Sequence, residues 1–104
     1  MTKITIYTDG AAKGNPGNGG YGIVMMSGKH KKEISEGFKH TTNNRMELLS
    51  VIVALEQIKV EKANVDIYSD SKYVVDAVEK GWVFWMAKKK ALKAKKILIY
   101  GNDS

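Results

Sequence analysis

Two short runs of β-branched and aromatic residues, each followed by an aspartate, constrain the fold of this chain most. The runs are Ile4–Thr8, followed by Asp9, and Val65–Ser69, followed by Asp70. Both are typical of buried strands. The apolar segment Met46–Ile58 between them has the length and composition of a buried helix. A strand that is connected to an earlier strand through a helix lies parallel to it, by a right-handed crossover. If the two runs form neighbouring strands, both aspartates lie at the same edge of the sheet.

The other segments complete an α/β fold with a mixed sheet. Tyr21–Met26 and Lys32–Phe38 read as two strands that form an antiparallel meander with the first. Residues 10–20 contain five glycines and the only proline, which predicts a loop. Tyr73–Glu79 reads as a second helix. The expected order is strand, strand, strand, helix, strand, helix, with three antiparallel strands and a parallel fourth strand.

Size and composition exclude several classes of protein. A chain of 104 residues, 43% of them hydrophobic, predicts a single domain over residues 1–104. The absence of cysteine excludes a disulfide framework and a thiolate zinc site. The longest apolar run, Trp82–Ala87, is too short to span a bilayer, so we expect a cytoplasmic protein without membrane contact. The two histidines, His30 and His40, have no spaced partner and are interpreted as surface residues.

The positive charge is concentrated in the last quarter of the chain. Residues 1–79 hold nine Lys, one Arg and ten acids, whereas residues 80–104 hold seven Lys and one acid. Such a run can attract a polyanion, and interleaved aromatic rings can pack on sugars or bases. A solvated helix face is the alternative. The run consists of Lys80, Lys88, Lys89, Lys90, Lys93, Lys95 and Lys96, near Trp82, Phe84 and Trp85.

A third acid is expected beside the two aspartates. Glu47 lies in the first turn of the predicted helix, which begins at the edge where Asp9 and Asp70 end their strands. Three converging carboxylates repel one another unless a cation lies between them. Oxygen ligands favour Mg²⁺ or Mn²⁺ over zinc. Two such ions about 4 Å apart are typical of phosphoryl transfer, where one activates a water and the other stabilises the leaving oxygen.

Each acid also has a purely structural interpretation. Asp9 before Gly10 suits a turn. Glu47 has the spacing of the third-position partner of Asn44 in a capping box, and Asp70 suits the cap of the second helix. The residues alone leave these alternatives open.

Four glycine-, asparagine- and acid-containing motifs stand out along the chain: TDGAAKGNPG at residues 8–17, GGYG at 19–22, TTNNRMEL at 41–48 and YSDSKYV at 68–74. These motifs resemble those of the bacterial type 1 ribonuclease H family. The resemblance covers about residues 3–90 and implies that the protein cuts the RNA strand of an RNA/DNA hybrid with Mg²⁺, leaving 5′-phosphate and 3′-hydroxyl ends.

The resemblance also implies roles for single residues. Asp9, Glu47 and Asp70 correspond to metal ligands, with the Gly10 backbone beside the metal. Asparagines of the family contact the minor groove and backbone of the hybrid, where 2′-hydroxyls distinguish RNA from DNA. A basic protrusion of the family grips the DNA strand. The implied substrate-binding residues are Asn15, Asn43, Asn44, Ser71, Trp82, Trp85, Lys88 and Lys89.

The sequence departs from the family after about Trp85. The family's fifth strand, its mobile histidine loop and its last helix with a fourth metal-binding Asp are not recognisable, so we expect a truncated or frameshifted form. An unprotected fourth strand predicts self-association of an otherwise monomeric protein, and a missing acid predicts weak cleavage. Ile97–Tyr100 pairing as a substitute strand is the less favoured alternative. A noncatalytic module that binds RNA/DNA hybrids is the competing function.

Overall fold

Five strands and two helices follow one another in the computed structural model, which describes residues 2–58, 63–80 and 96–101. None of the helices in these ranges is long and apolar enough to cross a membrane. The elements are β1 (Thr2–Gly14), β2 (Gly17–Ser27), β3 (His30–Thr41), α1 (Asn43–Glu56), β4 (Ala63–Ser69), α2 (Lys72–Glu79) and β5 (Lys96–Gly101).

The strands form one mixed sheet in the order β3-β2-β1-β4-β5. β1 pairs antiparallel with β2, which pairs antiparallel with β3. β4 lies parallel to β1, with Thr8 opposite Ser69. The predicted meander and the parallel fourth strand reached through a helix are therefore confirmed.

The core lies on one face of this sheet, beneath α1. Alternate residues of β1 and β4 point into it, including Ile6 and Ile67, both completely buried. Val51 and Leu55 of α1 are also completely buried. Other apolar residues of α1 are partly buried against the same core, as the nearly continuous apolar composition of this helix predicts: Leu48, Leu49, Ile52 and Val53.

The glycine-rich segment 10–20 is not the loop that its composition predicts. β1 continues to Gly14 and β2 begins at Gly17, so the two strands extend as a ribbon with Ala11 opposite Gly20. A Cβ on Gly19 would lie 2.5 Å from the Ala11 carbonyl oxygen. The glycines here allow β1 and β2 to approach each other closely, and they do not mark a loop.

A fifth strand lies beside β4 and contains Ile97–Tyr100, the segment that was the less favoured candidate for a substitute strand, so β4 is not the unprotected edge that was expected. β5 pairs in parallel with β4, and Ile99 lies opposite Ile67. The backbone of β5, which carries a short apolar run, pairs with backbone groups that β4 would otherwise expose at an edge. The Tyr68 ring, on the face opposite α1, stacks on Tyr7 and on Tyr100, each with 4.9 Å between ring centroids. The predicted absence of the last helix falls outside the described residues, and the single-domain assignment stays a prediction.

Candidate active site

The parallel pairing of β1 and β4 brings Asp9 and Asp70 to the same end of the sheet. Each follows one member of the pair formed by Thr8 and Ser69. Both aspartates are exposed, and both line an open cleft of about 480 Å³ on the face away from α1. Asp70 directly follows the last residue of β4, as predicted, whereas Asp9 lies inside β1, which continues to Gly14.

The first turn of α1 lies directly against β1 at Gly10, and no residue of α1 lines this cleft. A Cβ on Gly10 would lie 2.7 Å from the Met46 carbonyl carbon and 2.8 Å from the Glu47 nitrogen, so only glycine allows this contact. The Gly10 N–H donates a hydrogen bond to Oε1 of Glu47, with 3.2 Å between the heavy atoms. The Glu47 carboxylate is thus held at the edge where β1 and β4 carry their aspartates.

Glu47 occupies an environment that disfavours its negative charge. The residue is only 8% exposed, and its Oε2 is buried without a hydrogen-bond partner. Burial is the largest cause that raises the pKa of Glu47, and the charges of Asp9 and Asp70 raise it further. The Gly10 N–H and the nearby Ser69 hydroxyl lower this pKa without cancelling the rise. The electrostatics show that the two aspartates act on Glu47.

The donor set fits a hard divalent cation, although the acids do not form a closed cluster. In the described ranges, no three Asp, Glu or His side chains stand close enough to hold a metal ion. Asp9 and Asp70 are exposed, so their side chains can turn toward water or toward a ligand. Oε2 of Glu47 is buried without a hydrogen-bond partner and is therefore available to a ligand. Carboxylate oxygens of this kind suit Mg²⁺ or Mn²⁺.

The structure excludes the simpler interpretations of the three acids. Asp9 pairs with Gly22 inside the β1/β2 ladder and is not a turn residue. The N-cap of α1 is Thr42, whose hydroxyl accepts from the Arg45 N–H, so Glu47 is not the capping-box partner of Asn44. Asp70 is not a cap either. Its neighbour Ser71 caps α2 by accepting from the Val74 N–H.

The candidate substrate-binding asparagines lie near the β1/β2 ribbon or at the start of α1. Oδ1 of Asn43 accepts a hydrogen bond from the Ala12 N–H, which ties α1 to the ribbon. Asn43 and Asn44 are exposed in the first turn of α1. Asn15 is exposed in the turn between β1 and β2. Ser71 uses its hydroxyl oxygen as a helix cap. Trp82, Trp85, Lys88 and Lys89 lie outside the described residues.

Two supporting residues were not singled out from the sequence. Ser69 is completely buried beside Glu47, and its hydroxyl accepts from the Ser71 N–H at 3.2 Å. Tyr21 donates its hydroxyl proton to Glu36 across β2 and β3, and burial, followed by this hydrogen bond, raises the pKa of Tyr21 to about 12. The signal for Ser69 was a small hydroxyl residue at the end of a strand whose other buried positions, Ala63, Val65 and Ile67, are apolar.

Comparison with known proteins agrees with this architecture. The model of the RNase H family matches residues 1–100. This chain belongs to the ribonuclease H family. It is 58% identical over 96 residues to a ribonuclease H of Desulforamulus reducens and 63% identical over 81 residues to one of Trichodesmium erythraeum. The matches cover 86% and 78% of this chain, and they span 60% and 51% of those relatives.

Solved ribonuclease H structures share the fold. The N-terminal RNase H domain of Rv2228c from Mycobacterium tuberculosis, determined as a fusion with maltose binding protein, has a TM-score of 0.77 and 25% identity. That match covers 98% of this chain and 84% of the other. RNase H1 from Halobacterium salinarum has a TM-score of 0.75 at 23% identity, over 96% of this chain and 86% of the other, which supports the fold alone.

Proposed function

We propose that this ribonuclease H family member hydrolyses the RNA strand of RNA/DNA hybrids with Mg²⁺, or with Mn²⁺ in its place. The observation that carries the proposal is the buried Glu47, which has one unpartnered oxygen and accepts a hydrogen bond from Gly10 just beyond the point where the pairing of β1 with β4 ends, beside Asp9 and Asp70. A glutamate with only a structural role is usually exposed or paired with a positive charge. Glu47 is buried without such a partner among the described residues, which raises the free energy of its charged form, and a perturbed ionisable group of this kind is typical of functional sites.

The three acids have complementary positions for such a reaction. Glu47 is fixed by the Gly10 N–H on the helix side, whereas Asp9 and Asp70 are exposed toward the cleft and can turn to meet a ligand. Together they would hold the divalent ions that activate a water and stabilise the leaving 3′ oxygen, giving 5′-phosphate and 3′-hydroxyl ends.

Recognition of the hybrid is proposed for the surface around the ribbon. Asn43, held by the Ala12 N–H through its Oδ1, still has a side-chain amide nitrogen to donate, and exposed Asn44 and Asn15 can donate as well. Such donors suit the minor groove of a hybrid, where 2′-hydroxyls mark the RNA strand. The hydroxyl proton of Ser71 is also free to bind a phosphate oxygen while its oxygen caps α2. We propose from their charge and aromatic character that Trp82, Trp85, Lys88 and Lys89 contact the DNA strand.

A noncatalytic module that binds RNA/DNA hybrids is the second candidate. One observation favours it: within the described residues, the acids are not gathered into a group that could hold a metal ion. If the acids stay apart when substrate is present, the asparagines and the basic run would still bind a hybrid.

One assay separates the two functions. The 104-residue chain is incubated with a hybrid labelled on the RNA strand, with and without Mg²⁺, beside the variant Asp9→Asn. Cleavage that needs Mg²⁺ and is lost in the variant supports the nuclease. Binding of the hybrid without cleavage supports the module, and RNA-strand cleavage that needs no Mg²⁺ and persists in Asp9→Asn would contradict both. The same measurement tests the prediction that this form cleaves slowly. The cytoplasmic location expected from the composition and the monomeric state expected from the family also stay predictions.

A further inference from the structure

The cleft beside Asp9 and Asp70 has an aromatic wall that the proposed metal site does not use. The cleft measures about 480 Å³, and Tyr7 is part of its lining. One face of the Tyr7 ring stacks on Tyr68, and the other face has no ring partner among the described residues. Tyr7 is 43% exposed. A planar group that enters the cleft can therefore stack on Tyr7 from the side opposite Tyr68.

The register of the strands sets the width of this part of the cleft. Tyr7 on β1 lies opposite Val24 on β2, which lies opposite Glu33 on β3, and all three line the cleft. Tyr7 and Glu33 are thus two strand spacings apart, about 9.5 Å, with the smaller side chain of Val24 between them. Because stacked rings have centroids about 4.5–7 Å apart, this slot admits one ring against Tyr7 and no second ring.

The neighbouring row of residues on the same face leaves a recess. Asp9 lies opposite Gly22, which lies opposite Ser35, and these three residues also line the cleft. A Cβ on Gly22 would meet no atom within 4 Å, so the space above this glycine is open. Two residues along a strand span about 7 Å, which is comparable to the distance between the base and the 5′ phosphate of a nucleotide.

The polar groups of the recess suit the sugar and the phosphate of a nucleotide. Ser35 is exposed, and its hydroxyl can donate to or accept from a ribose hydroxyl. Asp9 and Asp70 repel a phosphate by themselves and attract it only through a divalent ion that they hold. Phosphate oxygens are common ligands of Mg²⁺ beside one or two carboxylates. The phosphate end of the pocket therefore rests on the proposed function, whereas the base end does not.

We infer that this cleft is a binding pocket for a nucleoside 5′-monophosphate, with the base stacked on Tyr7, the ribose over Gly22 and the phosphate toward the two aspartates. Base–aromatic stacking tolerates any sequence because every base has a π-face, so the pocket does not select one base. The same chemical unit ends an RNA strand that carries a 5′ phosphate, which is the end that the proposed reaction leaves. The pocket thus takes free mononucleotides and the unpaired 5′ ends of cleaved strands.

The test is calorimetric titration of the 104-residue chain with AMP in the presence of Mg²⁺, together with the NMR signals of the adenine protons, which a stacked tyrosine ring shifts upfield. Ribose 5-phosphate is the matched ligand without a base and should bind at least about tenfold more weakly. Tyr7→Leu should weaken AMP to the level of ribose 5-phosphate, leave ribose 5-phosphate unchanged and abolish the upfield shift. Tyr7→Phe keeps the ring and should bind AMP within about twofold of the unchanged protein.

A second pair of variants tests the recess without changing the ring. Gly22→Val places a side chain in open space, so it should leave the melting temperature nearly unchanged and abolish binding of both AMP and ribose 5-phosphate. Gly37→Val is the matched control on β3, outside the described lining of the cleft, where a Cβ would lie 3.8 Å from the Gly19 carbonyl oxygen. This control should bind both ligands like the unchanged protein. Competition between AMP and a 5′-phosphorylated RNA trinucleotide supports binding of strand ends, and its absence restricts the pocket to free mononucleotides.

The base slot and the metal site can fail separately. Adenosine has no phosphate, so the upfield shift of its adenine signals should appear without Mg²⁺ and disappear in Tyr7→Leu. If adenosine shows this shift but Mg²⁺ does not strengthen AMP binding, the phosphate contact and the proposed metal site are wrong and the base slot is supported. Three results overturn the inference even where Mg²⁺-dependent cleavage is observed: equal affinity for AMP and ribose 5-phosphate, an upfield shift that persists in Tyr7→Leu, or unchanged AMP binding in Gly22→Val.

Discussion

At the scale of single residues, Glu47 combines burial with a charge that the fold does not neutralise. Its Oε1 has one hydrogen bond to the Gly10 N–H, its Oε2 has none, and Asp9 and Asp70 add negative potential. An ionised carboxylate in such surroundings destabilises the folded state, because a buried charge without a counter-ion keeps its desolvation cost.

The first prediction is that Glu47→Gln stabilises the protein at neutral pH. The pKa of Glu47 is raised in the fold above its ordinary 4.5, so the folded protein retains a proton over a range in which the unfolded chain has released it. Stability contributed by this group therefore falls as the pH rises through that range. Gln keeps an acceptor for Gly10 and has no charge. Thermal melts should show no difference at about pH 4 and a gain of several degrees at about pH 7, where 1 kcal/mol corresponds to roughly 4–8 °C. A gain that does not depend on pH would contradict this account.

The second prediction concerns two glycines in the β1/β2 hairpin. Gly10→Ala places a Cβ within 2.8 Å of α1 backbone atoms, which cannot move independently of the helix, and should cost about 1–3 kcal/mol. Gly22→Ala is the matched control, since its Cβ would meet no atom within 4 Å. Urea unfolding should show that this control is neutral or slightly stabilising. Equal losses in both variants would contradict the proposed contact between β1 and α1.

At the scale of elements, a row of three tyrosines crosses β1, β4 and β5. Tyr68 is the middle ring and stacks on both neighbours, whereas Tyr7 and Tyr100 each stack on Tyr68 and are 43% and 39% exposed. Offset aromatic pairs contribute about 0.5–1.5 kcal/mol each beyond their buried area. The row therefore adds side-chain contacts across three strands to the hydrogen bonds of the sheet.

The third prediction follows from the double contact of Tyr68. Tyr68→Ala should lower the free energy of unfolding by about 2–3 kcal/mol, because both stacked pairs are lost. Tyr7→Ala removes one pair and should cost roughly half as much, and Tyr68→Phe, which keeps the ring, should cost less than about 0.5 kcal/mol. Chemical denaturation measures all three. Equal losses for Tyr7→Ala and Tyr68→Ala would show that β5 adds no stacking energy.

The elements also show where sequence patterns were informative. Strands β1 and β4 were predictable because alternate residues such as Ile4 and Ile6 face one core. The ribbon was not, because the glycines that allow β1 and β2 to approach closely, such as Gly19, have the composition of a loop. β5 was discounted because its residues do not resemble the family, although an apolar β-branched run needs only an open strand edge to pair. The hydrogen bonds between β4 and β5 come from the backbone, so this pairing does not require a sequence that resembles the family.

At the scale of the whole molecule, the three acids come from separate parts of the chain. That Asp9 and Asp70 each follow one member of the Thr8–Ser69 pair was predictable from topology, since a parallel crossover fixes which strand segments meet. The hydrogen bond from Gly10 to Glu47 was not predictable, because it depends on how closely α1 lies against β1. The spacing of the acids depends on side-chain rotation and repulsion, which sequence spacing does not encode.

The fourth prediction is that Mg²⁺ raises the melting temperature of the protein. A ligand present at about 100 times its dissociation constant stabilises the folded state by about 2.7 kcal/mol. Asp9→Asn, Asp70→Asn and Glu47→Gln should each reduce the shift. Asp66→Asn removes an acid of β4 that pairs with Lys3, and should leave the shift unchanged. Thermal melts over a Mg²⁺ titration measure this, and equal shifts in all variants would exclude Asp9, Glu47 and Asp70 as the ligands.

The parallel pairing of Thr8 with Ser69 has a consequence for the order of events during synthesis. The β1/β2/β3 meander contains only local pairings, so it can form on the ribosome as soon as these residues have left the exit tunnel. The partner of β1 on its other side is made much later. A nascent chain therefore carries Asp9 and Glu47 before Asp70 exists, and it acquires a complete set of acids only after translation has passed β4.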